Sequence, residues 1–382
     1  MLTLVTAMPP KYDVILLGLG GMGSAAAYHL SCRGKRVLGL ERFGPAHNQG
    51  SSHGDSRIIR QAYHEHPDYV PLVQRAYQLW HQLEHDAGVA LLHTTGGLML
   101  GRPASSIVQG AMLSATEHQI PHQVLNATEI HRRYPALHPR PDDIAVYEAS
   151  AGYLLPETAI HTHLQLAARQ GADLHFHEPV IEWSAHPSGA GVTVQTEVAT
   201  YHAERLVIAP GAWASGLLTD LEIPFDVRRL VMCWFQPIAH PELFQPAHFP
   251  IYLWDVDGQS IFYGIGVKAA MHSAPTRCTP QSIDRTIHDA DVSEVRSYLQ
   301  AFIPDLNGPL ERAVTCMYTL TPDQHFVVGL HPNHPQVSIA AGFSGHGFKF
   351  TSVMGEILAD LAIYGHTAHP IGFLSHDRLQ NV

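Results

Sequence analysis

The chain has 382 residues, of which 45% are hydrophobic and 15% charged, and its formal net charge at pH 7 is −11. These values predict a folded protein with more than one lobe and exclude an intrinsically disordered chain. The negative charge excludes nucleic acid and anionic membrane surfaces as favoured partners, so an anionic ligand needs a local basic pocket.

The cysteines and the hydropathy pattern predict a cytoplasmic protein without a membrane span. The four cysteines show neither CxxC pairing nor zinc-ligand spacing, which favours a reducing compartment over a disulfide framework. No apolar stretch reaches the ~20 residues that span a bilayer. The start, whether at Met1 or Met8, lacks a signal-peptide pattern. Histidines are mostly scattered singly, and no HExxH-like pair predicts a metal site.

The opening of the chain predicts a β-turn-α-β unit. Residues 12–18 form an apolar run of strand length, residues 24–34 are rich in alanine, and residues 37–41 form a second apolar run. Such a unit needs roughly 30 residues, and this segment supplies them. Parallel strands joined by a helix imply an α/β sheet that is buried on both faces.

The later segments alternate between helical and strand patterns. The helix-like segments are residues 66–88, 158–170, 281–301 and 351–364. The strand-like segments are residues 175–183, 191–198, 206–213, 225–267, 326–329 and 337–342. Residues 206–213 end in a glycine turn, which predicts a second close approach of backbone to a ligand.

This order of elements predicts an α/β protein, α+β overall, with a Rossmann-like domain and a second, mostly antiparallel β-sheet domain. We expect the Rossmann-like domain to be discontinuous and to comprise residues 12–87, 150–217 and 315–382. The second domain then takes residues 88–149 and 218–314.

Residues 18–23 fit the dinucleotide motif G-x-G-x-x-G, between a strand and a helix. Gly18 permits the tight turn, Gly20 lets the backbone approach a pyrophosphate, and Gly23 lets the helix pack on the strand. The helix N-terminus then offers free amides to the pyrophosphate. Glu41, roughly 20 residues on, is placed to bind a ribose 2′-hydroxyl, which disfavours NADP. This motif alone does not separate NAD from FAD.

Three further segments decide between these cofactors: GSSHGDSRIIR at residues 50–60, CMYTLTPD at 316–323 and GFSGHGFKF at 342–350. Together with the glycine motif they resemble the monomeric sarcosine oxidase and N-methyltryptophan oxidase family of flavoenzymes, from about residue 12 to about residue 365. The resemblance implies an FAD-binding domain and an oxidase of secondary amino acids that reduces O₂ to hydrogen peroxide. It also implies a monomer.

The resemblance assigns the FAD surroundings to particular residues. Cys316 takes the position at which the family attaches FAD covalently, and a thiolate is a nucleophile suited to that attachment. The other three cysteines are expected to be inert. The remaining residues implied to surround the FAD are Ser52, His53, Arg57, Gly345, His346 and Lys349.

The substrate residues follow from the same resemblance. Arg60 and Lys349 match the positions that hold the substrate carboxylate, which needs cations because a buried unpaired carboxylate is costly. Tyr263 matches a tyrosine that lines the pocket, and Tyr318 and His272 match two further side chains near the substrate. Related enzymes have a longer stretch after Tyr263, so the short one here predicts a reshaped pocket.

Lys268 and Arg57 are predicted to act on the redox chemistry. The family lysine at position 268 faces the flavin and promotes the reaction with O₂, since a fixed cation stabilises negative charge in a low-dielectric site. Arg57 and His53 are expected close to the flavin ring. Two of the four lysines of the chain, Lys268 and Lys349, thus fall on functional positions.

The predicted reaction is oxidation of an N-methyl amino acid to an imine, whose hydrolysis releases formaldehyde. Several alternatives stay open. The substrate can be a cyclic secondary amino acid such as pipecolate or proline, and the electron acceptor can differ from O₂. The chain can also be an NAD-dependent dehydrogenase or a flavin-binding protein without catalysis.

Overall fold

The computed structural model describes residues 12–273 and 275–380. The two candidate start residues and the last two residues of the predicted Rossmann-like domain lie outside this part of the chain. No helix within these ranges combines the length and apolar character that crossing a bilayer requires.

Within the described ranges the chain forms eight α-helices and twenty strands, numbered in chain order. The helices are α1 (Gly21–Cys32), α2 (Val70–Ala87), α3 (Ser106–Glu117), α4 (Ala127–Arg133), α5 (Pro156–Arg169), α6 (Ala214–Leu217), α7 (Asp289–Phe302) and α8 (Thr351–Tyr364). The strands of the first half are β1 (Tyr12–Leu17), β2 (Val37–Leu40), β3 (Arg57–Ile59), β4 (Leu92–Thr94), β5 (Gly97–Gly101), β6 (Gln123–Asn126), β7 (Ile144–Glu148), β8 (Gly152–Leu154), β9 (Asp173–His175) and β10 (Val180–Ala185). The second half contains β11 (Val192–Thr196), β12 (Thr200–Ile208), β13 (Asp226–Phe235), β14 (Ile251–Asp255), β15 (Ile261–Ile265), β16 (Lys268–Met271), β17 (Thr276–Arg277), β18 (Leu310–Leu320), β19 (Val327–His331) and β20 (His334–Ala341).

The first sheet has eight strands and a parallel centre. Its order is β10-β11-β12-β1-β2-β9, and β20 pairs with the second half of β12 and with β19. β1 pairs in parallel with β2 and β12, and all four residues of β2 are buried. Helices α1 and α8 pack together over this sheet, where a Cβ on Gly355 would lie 2.6 Å from the Ala25 backbone. This is the predicted Rossmann-like α/β layer.

The second sheet has nine strands in the order β17-β13-β16-β15-β14-β5-β7-β6, with β18 paired to β13. All its pairings are antiparallel except that of β14 with β5, so the predicted mostly antiparallel sheet is confirmed. A small third sheet, β3-β8-β4, carries the segment that begins at Arg57. The fold class expected from the sequence is therefore correct.

Three predicted elements are wrong in their limits, and one of them is the strand predicted at 206–213, which begins at Thr200 as β12. Residues 175–183 are not one strand, because His177 has φ +57° and the chain leaves β9 there for β10 at the opposite edge of the sheet. The helix predicted over 281–301 begins only at Asp289. Arg229 of β13 binds the carbonyl oxygens of Asp284 and Thr286 and so holds the preceding segment out of a helix.

Helices α2, α5 and α8 agree with their predicted segments, and α8 has the predicted limits Thr351–Tyr364. The domain limits stay a prediction. Strand β18 crosses the predicted limit at residue 315, yet it pairs with β13 of the nine-stranded sheet up to Leu320.

The glycine turn after β1 generates a stability prediction. A Cβ on Gly23 would lie 1.8 Å from the carbonyl oxygen of Gly18, so Gly23→Ala must push α1 away from β1. We expect a loss of about 1–3 kcal/mol in the free energy of unfolding, although alanine is the better helix former. Denaturant unfolding measures this loss.

The matched control is Gly329→Ala, because a Cβ there meets no atom within 4 Å. It should change the free energy of unfolding by no more than about 0.5 kcal/mol. Equal stability of Gly23→Ala and the wild type would contradict the close packing of α1 on β1.

Candidate active site

A single cavity of about 390 Å³ runs between the two large sheets. One end is lined by the turn after β1 and by Glu41, and the other by Arg60, Tyr263 and Lys349. Most predicted site residues line it: Gly18, Gly20, Glu41, Ser52, Arg57, Arg60, Tyr263, His272, Cys316, Tyr318, Gly345, His346 and Lys349. Gly23, His53 and Lys268 do not line it.

The three motif glycines differ in what surrounds them. Gly18 has φ +87°, and a Cβ there would lie 2.5 Å from the Ala209 carbonyl oxygen. Gly23 packs against Gly18, as described above. A Cβ on Gly20 would meet no protein atom within 4 Å, so protein packing does not require glycine there. The open space over Gly20 is the predicted approach path of a pyrophosphate.

The carboxylate of Glu41 is fixed at the end of β2. Its oxygens accept hydrogen bonds from the amides of Leu19 (2.8 Å) and Phe43 (3.0 Å). Burial acts to raise the pKa of Glu41, but hydrogen bonds from His47 and the two amides outweigh it and lower that pKa. Since a carboxylate accepts up to about four hydrogen bonds, Glu41 retains capacity for a ribose hydroxyl.

These features fit a dinucleotide cofactor. Helix α1 begins at Gly21 without a side-chain cap, so its first amides face the open space over Gly20. The turn after β12, residues 209–213, lines the same end of the cavity. This is the glycine turn at which the sequence predicts a second close approach of backbone to a ligand. From there the cavity continues to Cys316 and to the far, cationic end.

Cys316 lies in the cavity wall on β18. Its sulfur is 3.8 Å from Nη2 of Arg57 and 3.7 Å from the carbonyl oxygen of Ser51, and the residue is 2% exposed. The other three cysteines do not line the cavity.

The backbone of residues 50–56 is fixed by two side chains that lie outside the cavity wall, those of Glu157 and Lys268. Glu157 of α5 accepts a hydrogen bond from the Gly54 amide at 2.6 Å. Lys268 donates to the carbonyl oxygens of Gly54 (2.8 Å) and Ser56 (2.9 Å). His53 is buried beside Lys268, and burial together with Arg57 lowers its pKa to about 3.

Lys268 therefore reaches the cavity through Ser56, which lines it, and not directly. Burial first, and then the charge of Arg57, lower the pKa of Lys268 well below its usual value. Its ammonium also lies 5.2 Å from the ring centre of Trp234. The predicted role of Lys268 in the reaction with O₂ stays a prediction.

Arg60 is 1% exposed and already has an acidic partner. Its Nη2 donates to Oε2 of Glu65 at 2.6 Å and its Nη1 to the carbonyl oxygen of Ala62 at 3.0 Å. Burial acts to raise the pKa of Glu65, but Arg60 dominates and holds it well below its usual value. Fully buried Glu148 fixes this segment by accepting from the Gln61 and Ala62 amides.

Lys349 precedes α8 and faces the same end of the cavity. Its ammonium donates to the carbonyl oxygen of His346 at 2.6 Å. Burial and the nearby charge of Arg60 lower the pKa of Lys349 to about 7, while Glu65 acts in the opposite direction. The ammonium of Lys349 therefore loses its proton readily near pH 7.

Neutral polar side chains complete this end. Nδ1 of His272 lies 3.1 Å from the hydroxyl of Tyr318, and the ring of Tyr263 meets His272 edge-on at 6.2 Å. Burial lowers the pKa of His272 to about 4 and that of His346 to about 3, so both are neutral at pH 7. A Cβ on Gly345 would lie 2.5 Å from the Tyr318 ring.

Glu65 is the main residue of this site that the sequence did not reveal. It lines the cavity and lies beside Arg60, His64 and Lys349. The only local signal was an acidic residue shortly after Arg60. Nothing in the sequence indicated that the two would form a buried ion pair.

Comparison with known proteins identifies the family. The family model described as "FAD dependent oxidoreductase" matches residues 13–361. Monomeric sarcosine oxidase of Streptomyces avermitilis is 53% identical, over 97% of this chain and 99% of that protein. N-methyl-L-tryptophan oxidase of Yersinia pestis is 34% identical, over 91% of this chain and 94% of that protein.

A solved structure of NikD, an unusual amino acid oxidase essential for nikkomycin biosynthesis, has the same fold. Its TM-score is 0.81, and the likeness covers 95% of this chain and 97% of that one at 24% identity. The family match and the two relatives agree with the cavity, whose residues suit FAD. This chain therefore belongs to the FAD dependent oxidoreductase family, in the branch that includes the monomeric sarcosine oxidases and N-methyl-L-tryptophan oxidases.

Proposed function

We propose that this protein oxidises N-methyl amino acids to imines, passes the electrons to O₂ to give hydrogen peroxide, and releases formaldehyde when the imine hydrolyses. One observation carries the proposal. A single cavity joins a dinucleotide turn to a buried pair of cations, Arg60 and Lys349. The names of the relatives, sarcosine oxidase and N-methyl-L-tryptophan oxidase, support the substrate class.

FAD, when bound, supplies the two-electron oxidation and the reaction with O₂, and the protein supplies orientation and electrostatics. The cationic end of the cavity orients the substrate. A carboxylate there accepts hydrogen bonds from Arg60 and Lys349, and Arg60 must then be shared with or released from Glu65. Fixed in this way, the N-methyl amine points back towards Tyr263 and Cys316.

The same charges favour the reactive form of the amine. Only an uncharged amine has the lone pair that expels a hydride equivalent. Arg57, Arg60 and Lys349 around the cavity disfavour a further positive charge, while His272 and His346 add none at pH 7. Activity is therefore expected to fall as the pH drops and the amine becomes protonated.

Covalent attachment of FAD through Cys316 is part of this proposal. Support comes from the position of its sulfur in the cavity wall, 3.8 Å from the Arg57 guanidinium. Cys316 lines the same cavity as the dinucleotide turn and the cations Arg60 and Lys349. Lys268, tied to Ser56, is proposed to influence the reaction with O₂ from behind the cavity wall.

We also propose a monomer that works in the cytoplasm. The word "monomeric" in the name of the Streptomyces avermitilis relative supports the first point. The second is supported by the cysteines, none of which forms a disulfide.

Product yields test the reaction. Purified protein should convert sarcosine with equal molar yields of hydrogen peroxide and formaldehyde, because each N-methyl oxidation produces one of each. L-Pipecolate and L-proline should be poorer substrates and give no formaldehyde. Peroxidase-coupled and formaldehyde assays measure the yields. Rapid oxidation of L-proline with little turnover of sarcosine would favour the cyclic amino acids instead.

Acid precipitation tests the attachment. The wild-type pellet should stay yellow and its intact mass should exceed that of the polypeptide by one FAD. Cys316→Ala should lose both signals, because no other cysteine lines the cavity. The matched control Cys278→Ala should keep them. Release of the wild-type flavin into the supernatant would contradict covalent attachment.

A further inference from the structure

A cluster of potential metal ligands lies outside the cavity wall. Among the described residues, Asp220, His331 and His334 each offer one ligand atom, and these atoms lie within 4.8 Å of one another. His331 ends β19 and His334 begins β20, and the two residues pair directly across the hairpin. Their rings are therefore on one side of it, with centroids 4.7 Å apart.

His331 is the fixed member of this cluster. Its side chain is 0% exposed, and its Nε2 has no hydrogen-bond partner although it lies 2.9 Å from a carboxylate oxygen of Asp220. A buried polar nitrogen without a hydrogen bond costs free energy. A cation bound between His331 and Asp220 would remove that cost.

We propose that Asp220, His331 and His334 form a binding site for a divalent transition-metal ion of the zinc type. Two imidazoles and one carboxylate are a ligand set that Zn²⁺ accepts, with a fourth position left for water. Nitrogen ligands exclude Mg²⁺ and Ca²⁺, which prefer oxygen. No local sequence pattern indicated this site, because Asp220 is far along the chain from the two histidines.

The geometry requires small movements. Tetrahedral zinc bonds of about 2.1 Å place ligand atoms about 3.4 Å apart, whereas the separations here range from 2.9 Å between His331 and Asp220 to at most 4.8 Å. Asp220 is 41% exposed at its side chain and is free to shift slightly away from His331. The Asn333 amide now donates to Nδ1 of His331 over 3.3 Å. When a metal ion binds Nε2, the imidazole proton must lie on Nδ1. The exposed Asn333 amide then donates its hydrogen bond to water instead of to Nδ1.

The location predicts what the ion would do. None of the three residues lines the cavity, although Leu217, three residues before Asp220, and Ala340 of β20 do. Asp220 lies in the 3₁₀ turn Thr219–Leu221, between β12 of the first sheet and β13 of the second. A bound ion would therefore tie this crossover to the β19–β20 hairpin and stabilise the fold without entering the reaction.

Equilibrium dialysis of the FAD-loaded protein against Zn²⁺ at pH 7.5, followed by metal counting, tests the site. The wild type should bind one more equivalent than His334→Ala or Asp220→Asn. The control His240→Ala removes the histidine of an exposed pair with Asp305 (2.8 Å) and should bind as the wild type does. Zn²⁺ should raise the melting temperature of the wild type and of the His240→Ala control. It should leave the melting temperatures of His334→Ala and Asp220→Asn unchanged.

A second readout uses Trp183, whose ring lies 5.6 Å from His331 and 5.8 Å from His334. Cu²⁺ at this site should quench part of the tryptophan fluorescence, and Trp183→Phe should lack that part. Equal Zn²⁺ counts in the wild type, His334→Ala and Asp220→Asn would overturn the proposal. So would Cu²⁺ quenching that is unchanged in His334→Ala.

Discussion

Two buried cations beside one partly exposed carboxylate, that of Glu65, are the constraint on which the far end of the cavity depends. Arg60 and Lys349 are both nearly inaccessible to water, and Glu65 is their one acidic neighbour in the cavity wall. Burial, and then the charge of Arg60, lower the pKa of Lys349, while Glu65 acts in the opposite direction. Fully buried Glu148 interacts with Arg60 from outside the cavity wall. A second carboxylate inside the cavity would favour the charged form of Lys349.

The rest of the structure places Arg60 and Lys349 in the same cavity as the dinucleotide turn. The eight-stranded sheet supplies the glycine turn and Glu41, and the nine-stranded sheet supplies Tyr263 and Cys316. Arg60 comes from the segment after the small sheet, where Glu148 holds its backbone. Substrate and cofactor therefore meet only because three sheets contribute to one cavity. The net charge of the whole chain is −11, so the positive charge at the far end of the cavity is a local feature.

Features that depend on local chemistry could be predicted from the sequence. The glycine turn needs particular backbone angles, and α8 follows from its own periodicity. Features set by distant partners could not. The early start expected for α7 fails because Arg229 binds the carbonyl oxygen of Thr286. The hydrogen bonds from Lys268 to the backbone of Gly54 and Ser56 also join segments far apart in the sequence. Likewise, no local pattern indicates that Glu65 pairs with Arg60.

The account predicts that carboxylate affinity depends on the charge of Lys349, whose pKa in the free protein is about 7. Acetate, which stays ionised above pH 6, should bind tightly at pH 6, as followed by the flavin absorbance spectrum. Above pH 7 binding must take up a proton, so the Kd should rise by up to about tenfold per pH unit. Lys349→Met should bind weakly with no such slope. A wild-type Kd that is constant from pH 6 to 9, or a slope retained in Lys349→Met, would contradict the account.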